Sequence, residues 1–232
     1  AIGIGNVWKF PYVAGQNGGA IFLFFYLLFL LVIGIPVLVM EFSTGRSAQV
    51  SPVKMFGKLK PKVKLWGLQG KIGLAGNYLL MAFYTTVTGW MLRYFAEAVT
   101  GAYMSLDSAG IQQHFQTVLA DPGSVVFYMG LTVLIGFGVC AAGLQNGLEK
   151  ITKWMMGVLL VAMVVLAVNS LFQPGGMEGL KYFLLPNWDA FLEIGPAKVI
   201  CAAMSQAFFT LSLGIGGMAI FGSYLDKDRS LF

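Results

Sequence analysis

Charged residues are scarce in this sequence, where Asp, Glu, Lys and Arg together account for only 11% of the 232 residues. Hydrophobic residues account for 57%, well outside the usual composition of soluble domains. A soluble globular protein is excluded because too few polar side chains are present to cover its surface. The composition predicts an all-α polytopic membrane protein, since a helix satisfies its own backbone in lipid.

Cysteine and histidine are scarce as well. Cys140 and Cys201 lie far apart in apolar runs, so neither a disulfide framework nor a metal site is indicated, and we expect both to be small buried apolar side chains. The single histidine, His114, lies in a predicted external loop, and no Gly-x-Ser-x-Gly or paired-histidine motif is present. An enzyme within the membrane would need a nucleophile with its base or a cluster of metal ligands. We therefore expect neither an enzyme nor an organic cofactor.

Long apolar runs are abundant in the sequence. Each holds close to the ~20 residues that a helix needs to cross about 30 Å of hydrocarbon. We predict a single transmembrane domain with a partial span at residues 1–14 and further spans at 20–44, 72–98, 124–144, 152–172 and 197–225. Because the chain opens at Ala1 without Met and stops soon after the last span, we expect it to be part of a longer protein.

The connection at residues 45–71 is strongly basic. It contains no Asp or Glu, and its basic residues are Arg46, Lys54, Lys58, Lys60, Lys62, Lys64 and Lys71. Such a bias marks a cytoplasmic connection. The other orientations follow by alternation, and the segment at 99–123, which should be external, indeed has no Lys or Arg. The net charge of +5 therefore comes largely from a connection that faces the cytoplasm beside a lipid bilayer, and it does not indicate binding to nucleic acid.

Two apolar segments carry similar glycine interruptions. Residues 2–6 read Ile-Gly-Ile-Gly-Asn, and residues 213–217 read Leu-Gly-Ile-Gly-Gly. Interrupted helices at corresponding positions of two halves point to the binding site of a transporter, although glycine pairs also serve close helix packing. We predict that both helices unwind at mid-depth, near Gly3 and near Gly214, and leave peptide groups that an ion or a ligand can satisfy.

The residues around these glycines suit a monovalent cation and a carboxylate. The oxygen donors are the backbone carbonyls of Ala1, Ile2 and Gly3, the side chain of Asn6 and the hydroxyls of Thr210 and Ser212. Neutral oxygens fit sodium better than calcium, which prefers several anionic ligands. The amides of Ile4 and Gly5 open a half-helix and present its positive end. The alternative is that these polar side chains only bond to backbone or to neighbouring helices.

Residues 1–11, followed by Gln-Asn-Gly-Gly at 16–19, closely resemble the first-helix signature of bacterial members of the neurotransmitter:sodium symporter family. Residues 41–46 and 208–214 are similar to parts of that family's second and sixth helices. The resemblance covers essentially the whole chain. It implies a LeuT-like fold, with the first five-helix repeat truncated at its start, the first helix of the inverted second repeat, and unwound first and sixth helices. It also implies a multi-pass protein of the bacterial inner membrane.

The same resemblance implies sites for the coupling ions. One sodium ion would be bound by the Ala1 carbonyl, the Asn6 side chain and Thr210, and completed by the substrate carboxylate. A second would take the Ile2 carbonyl, with further ligands outside this sequence. Positions of the chloride site in chloride-dependent members match Tyr26, Gln206 and Thr210. The residue that decides chloride dependence belongs to a seventh helix, outside this sequence.

Gly3 stands where amine-transporting members carry an aspartate, and this implies substrates with their own carboxylate, namely α-amino acids. The Gly5 amide and the Tyr84 hydroxyl would bind that carboxylate. The substrate-site positions are Ala1, Ile4, Gly5, Leu80, Tyr84, Phe209, Thr210, Ser212 and Ile215. The positions that would line the side-chain pocket are mostly apolar, which favours a hydrophobic amino acid. The external gate would be formed by Lys9, Tyr84, Gln206 and Phe209.

These features together predict a sodium-coupled symporter of amino acids that works by alternating access around a midplane site. Its partners would be the amino acid, sodium and the lipid bilayer. A proton-coupled amino-acid carrier of the same broken-helix architecture is an alternative, and the sodium dependence of uptake would distinguish the two. A membrane receptor that does not transport, which would not accumulate its ligand, and an intramembrane enzyme are further alternatives.

Overall fold

The computed structural model describes residues 5–63, 65–103, 106–143 and 149–225. Within these residues the regular structure is helical and contains no strand, so the all-α class is confirmed. The α-helices are α1 (Phe10–Gln16), α2 (Ala20–Phe29), α3 (Ile35–Ala48), α4 (Pro52–Leu59), α5 (Trp66–Val99), α6 (Ser108–Leu119), α7 (Pro122–Ala141), α8 (Lys150–Leu171), α9 (Gly176–Leu184), α10 (Trp188–Ile194), α11 (Pro196–Leu211) and α12 (Gly217–Ser223). Two π-helical stretches, Gly5–Lys9 and Leu30–Gly34, lead directly into α1 and α3.

Among the described residues, three helical stretches are long and apolar enough to cross a membrane: Ala20–Ala48, Pro122–Ala141 and Lys150–Leu171. The helices α10 and α11, which meet at an angle of 92°, form a fourth if they count as one bent span. Helix α5 is longer, at 34 residues, but more polar. The most apolar parts of α7 and α8 have no side chain buried among the described residues, so their surfaces require an apolar environment.

The chain divides into two compact units, the first made of residues 1–75 and 160–232 and the second of residues 76–159. In the first unit, α2 packs along α11 and α3 packs along α12. Its main core consists of Ala14, Ile21, Phe22, Tyr26, Phe191, Val199, Ala203 and Ala207. The two parts of the predicted sixth helix, α11 and α12, are therefore supported by different helices.

Glycines allow α3 and α12 to touch backbone to backbone. A Cβ atom added to Gly45 of α3 would lie 2.1 Å from the Ala219 carbonyl oxygen, and one added to Gly222 of α12 would lie 2.5 Å from the Phe42 carbonyl oxygen. Such close approach, which only glycine permits, is the usual basis of helix association in membranes. It holds α12 in a fixed place beside α3.

The helical run Ala20–Ala48 contains a π-helical turn just before Pro36. Pro36 has no N–H to donate, and its ring crowds the preceding turn, so the helix widens at Leu30–Gly34 to accommodate it. A Cβ atom on Gly34 would lie 2.5 Å from Leu211 Cδ1, at the end of α11. The widened turn thus lies next to the point where α11 ends.

In the second unit, α6 and α7 both begin at aspartate caps. The Asp107 carboxylate accepts a hydrogen bond from Gly110 N at 2.7 Å, and the Asp121 carboxylate accepts one from Ser124 N at 3.3 Å. These caps satisfy amides that lack a partner within the helix. Gly89 of α5 packs against α7, because a Cβ atom there would lie 3.0 Å from Met129 N.

Both cysteines, which we expected to be buried, are exposed in the structure. The prediction was wrong because an apolar run in a membrane helix does not indicate which of its side chains face inward. Lipid is as apolar as the protein interior, so burial inside the chain brings no additional gain there.

Candidate functional site

The predicted break in the sixth helix is present. Helix α11 ends at Leu211, Ser212 has a left-handed backbone with φ of 53°, and Gly214 and Gly216 have φ of 85° and 80° before α12 begins. Glycine adopts this conformation without penalty, whereas a residue with a Cβ pays for it. The predicted unwinding near Gly214 is therefore confirmed. Its counterpart in the first helix falls at Ala1, Ile2, Gly3 and Ile4, which lie outside the described residues.

A carboxylate from α3 stabilises this break. The Gly214 amide donates a hydrogen bond to Glu41 Oε1 at 2.5 Å, between residues 173 positions apart in the sequence. The other carboxylate oxygen, Oε2, is buried and has no hydrogen-bond partner among the described residues. Glu41 was not among the residues predicted for the site. An acidic side chain within an otherwise apolar span was the signal that could have identified it.

Two of the predicted polar residues meet between α2 and α11. The Tyr26 hydroxyl donates to Thr210 Oγ1 at 3.3 Å. Gln206 lies one turn before Thr210 on α11, so both side chains lie on the same face of the helix. The Gln206 side chain is 2% exposed, and its Nε2 has no partner among the described residues. Tyr26 and Gln206 are thus buried and Thr210 is half-buried, and part of the hydrogen-bonding capacity of these side chains is not used within the described chain.

Phe209 of α11 contacts both ends of the π-helical stretch Gly5–Lys9. The Lys9 ammonium lies over the Phe209 ring, 4.5 Å from its centroid, which is a cation–π distance. A Cβ atom on Gly5 would lie 2.1 Å from Phe209 Cε1, so only glycine allows the ring to pack here. Three residues predicted for the site, Gly5, Lys9 and Phe209, are therefore neighbours.

The remaining candidates divide between the two units. Asn6 is half-buried in the π-helical stretch, Ser212 is exposed at the break, and Ile215 is half-buried beside it. Leu80 and Tyr84 belong to α5 in the second unit. Tyr84 lines an apolar cavity of about 340 Å³, together with Met81, Thr85, Thr88, Thr132, Val133, Gly136, Phe137 and Cys140. Within the first unit, the structure thus brings most of the described site candidates close to one helix break.

The family is decided by comparison with known proteins. A family model described as the sodium:neurotransmitter symporter family matches residues 1–110 and 103–232. The chain belongs to this family. The resemblance seen in the first-helix and sixth-helix motifs is therefore confirmed, and the family is one of transporters.

Relatives of this symporter-family chain are longer than the chain. An uncharacterized sodium-dependent transporter of Bacillus subtilis is 37% identical over 235 residues, which cover 100% of this chain and 50% of the relative. The sodium-dependent neutral amino acid transporter B(0)AT2 of Mus musculus is 28% identical over 261 residues, covering 99% of this chain and 35% of the relative. The chain thus spans about half the length of its bacterial relative.

A solved structure supports the fold of this family member. The crystal structure of MhsT in complex with L-phenylalanine is similar with a TM-score of 0.85 and 41% sequence identity. The match covers 99% of this chain and 51% of that protein. The LeuT-like architecture expected from the motifs is therefore confirmed for the region that this symporter-family chain covers.

Proposed function

We propose that the complete protein is a sodium-coupled symporter of hydrophobic α-amino acids in the bacterial inner membrane. The observation that carries the proposal is the helix break at residues 212–216, which lies beside the Glu41 carboxylate and interrupts the helical backbone between α11 and α12. Family membership supports sodium as the coupling ion. The phenylalanine bound to MhsT and the neutral amino acids in the name of B(0)AT2 support the substrate class.

The proposed first sodium site combines the Ala1 carbonyl, the Asn6 side chain and Thr210 with the substrate carboxylate. The contact between Tyr26 and Thr210 supports the role of Thr210. Its hydroxyl oxygen accepts the hydrogen bond from Tyr26 and retains a second lone pair that a cation can use. The second site would use the Ile2 carbonyl. Sodium bound partly by the substrate would couple their binding, because each would raise the affinity for the other.

The proposed substrate site places the amino-acid carboxylate on the amides at the start of the first described helix. Ala1, Ile4 and Gly5 would surround it, and Tyr84 would donate to it. The apolar side chains proposed to line the pocket, Leu80, Phe209 and Ile215, would favour a hydrophobic substrate, with Ser212 at the edge. The close packing of Gly5 against Phe209 supports this arrangement, since it joins the carboxylate-binding end to the apolar pocket.

The proposed external gate consists of Lys9, Tyr84, Gln206 and Phe209. The cation–π contact between Lys9 and Phe209 supports it, because the contact links the first and sixth helices next to the break. The same region supports a chloride site in the complete protein. The unused Gln206 amide is a neutral donor in an apolar core, as a bound anion requires, and the Thr210 hydroxyl, which accepts from Tyr26, keeps its own proton to donate.

The proposal is tested by uptake of labelled phenylalanine into proteoliposomes that contain the complete protein. Uptake should require an inward sodium gradient and should stop when choline replaces sodium. The Asn6→Ala variant should need on the order of tenfold more sodium for half-maximal uptake, since it loses one oxygen ligand. Asn169→Ala, which makes the same change on an exposed face of α8, is the matched control.

Three results would contradict the proposal. Uptake that persists in choline and follows a proton gradient would support the proton-coupled alternative. Phenylalanine binding without accumulation would support a receptor. An Asn6→Ala variant with the same sodium dependence as Asn169→Ala would remove Asn6 from the sodium site.

A further inference from the structure

The connection after the first complete span forms a basic surface, defined here by α4, the turn at residues 60–63 and the first turn of α5. Its lysines Lys54, Lys58, Lys60 and Lys62 are all exposed. The sequence contains no Asp or Glu between Glu41 and Glu97, so the segment carries no charge of opposite sign. None of the four lysines has a carboxylate partner among the described residues. Their charge is therefore available to an external anion.

This basic surface is held in a fixed position at the end of the span. Met55 of α4 is 4% exposed and packs in a small core with Ala48 and Ala219. The Lys58 ammonium donates to the Ala48 carbonyl oxygen at 2.8 Å and so satisfies an acceptor at the end of α3. Because α4 is bound at both points, its lysines stay next to the end of the apolar run Ala20–Ala48.

Apolar side chains alternate with the lysines on this basic surface. Leu59, Val63, Leu65 and Trp66 are 38%, 41%, 77% and 48% exposed. The Trp66 ring stacks on Phe56 with centroids 5.5 Å apart, so part of the apolar surface is organised by α4. In water this pattern would expose apolar area, whereas at a membrane surface the apolar groups enter the interface and the lysine ammonium groups remain in the headgroup layer.

We propose that the basic surface binds acidic phospholipids, of the phosphatidylglycerol type, in the leaflet at this end of the span. Charge complementarity supports this occupant, since clusters of four or more basic residues beside a membrane helix attract anionic headgroups. The interleaved apolar residues favour a lipid over a soluble phosphate, because only a lipid also supplies acyl chains. The proposal rests on membership of a membrane transporter family and not on the substrate or the coupling ion proposed above.

The test counts the lipids bound to the complete purified protein by native mass spectrometry in mixed micelles of increasing phosphatidylglycerol or phosphatidylcholine content. The wild-type protein should retain phosphatidylglycerol selectively, and 0.5 M salt should reduce this selectivity. The Lys60→Gln and Lys62→Gln double variant should bind phosphatidylglycerol about 25-fold more weakly, since each lysine at an acidic surface contributes about fivefold.

The matched control removes two exposed lysines elsewhere in the first unit, Lys181→Gln with Lys198→Gln, and should retain wild-type affinity. The Lys60→Arg and Lys62→Arg variant keeps the charge and should also retain it, which separates lost charge from a folding defect. Equal affinities of the two Gln double variants, or equal retention of phosphatidylcholine and phosphatidylglycerol, would overturn the proposal.

The quenching of Trp66 distinguishes a bilayer lipid from a free phosphate. Phosphatidylglycerol with brominated acyl chains should quench part of the tryptophan fluorescence, and this part should be missing in Trp66→Phe. Glycerol phosphate at the same concentration should not compete with the lipid. Quenching that is identical in wild type and Trp66→Phe, or full competition by glycerol phosphate, would show that a membrane lipid is not the occupant.

Discussion

Glu41 supports the helix break through one hydrogen bond. Its Oε1 accepts from the Gly214 amide, one of the peptide groups that the helix no longer satisfies after Leu211. An unpaired amide in an apolar environment costs several kcal/mol on solvent-transfer scales. The break is therefore stable because α3 supplies an acceptor that the sixth helix itself cannot provide.

Replacing Glu41 by Ala should destabilise the complete protein by about 1–3 kcal/mol, since the Gly214 amide loses its acceptor. Glu41→Gln keeps an acceptor oxygen at the same distance from the backbone and should cost less. Thermal unfolding in detergent measures both variants. The control is Glu178→Ala, which removes an exposed carboxylate on α9. If Glu41→Ala unfolds at the same temperature as Glu178→Ala, the hydrogen bond does not stabilise the break.

Phe209 shows how one glycine determines the surroundings of a larger residue. The ring occupies the space in which a Gly5 side chain would lie, and the Lys9 ammonium covers it at 4.5 Å. Any side chain at position 5 would displace the ring and separate it from Lys9. The packing and the cation–π contact therefore depend on the same missing Cβ atom.

Among the helices, the packing of α12 on α3 determines the position of α12, the second part of the broken sixth helix. Gly45 and Gly222 remove the side chains that would separate the two backbones. The helix α12 has only seven residues, so it is too short to be stable by itself and relies on this packing.

Gly222→Ala should therefore destabilise the protein by about 1–3 kcal/mol, because the new Cβ atom overlaps the Phe42 carbonyl and forces the helices apart. Gly217→Ala is the matched control in the same helix, where an added Cβ atom meets nothing within 4 Å. That change should be neutral or stabilising, since Ala is the better helix former. Both are compared by chemical unfolding in detergent, and equal stabilities would show that the contact is not tight.

A hydrogen-bonded cluster connects the end of α5 with α6 in the second unit. Glu97 accepts from Arg93 Nε at 2.8 Å and from the Tyr103 hydroxyl at 2.5 Å, and its Oε2 lies 2.9 Å from His114 Nε2. Burial and the bond to Glu97 raise the pKa of the Tyr103 phenol, so the hydroxyl remains a donor to a higher pH than an ordinary tyrosine would. One carboxylate therefore holds three partners.

Glu97→Gln should weaken the attachment of α6 by about 1–3 kcal/mol, since the neutral amide forms weaker hydrogen bonds with these partners. Amide hydrogen exchange at residues 110–119 should accelerate by the factor that corresponds to this loss of stability. The control is Glu193→Gln, which alters an exposed side chain on α10 and should leave the exchange of α6 unchanged. Wild-type protection of α6 in Glu97→Gln would show that other contacts hold the helix.

At the scale of the whole molecule, the two units differ in how they satisfy their apolar surface. The first unit has a core between α2 and α11, whereas α7 of the second unit buries no side chain of its most apolar part among the described residues. The same holds for α8, which contributes residues to both units. Such helices are stable only in lipid or against further protein, because exposure to water would cost about 25 cal/mol per Å² of apolar surface. This agrees with a transporter family member that spans about half of its bacterial relative.

The sequence alone determined the helical class, the unwinding near Gly214 and the basic connection, because each follows from local composition. A run of about 20 apolar residues requires a helix in lipid, and glycines with a left-handed backbone end it. The family resemblance, and not any local pattern, assigned Tyr26 and Thr210 to one site, but it did not predict the hydrogen bond between them.

Only the tertiary structure decided which side chains meet. The bond between Glu41 and Gly214 joins residues 173 positions apart, and the bond between Tyr26 and Thr210 joins residues 184 positions apart. It also decided that Cys140 and Cys201 are exposed. The physical reason is that periodicity and composition report the conformation of each helix, whereas close approach between helices depends on the shapes of both surfaces.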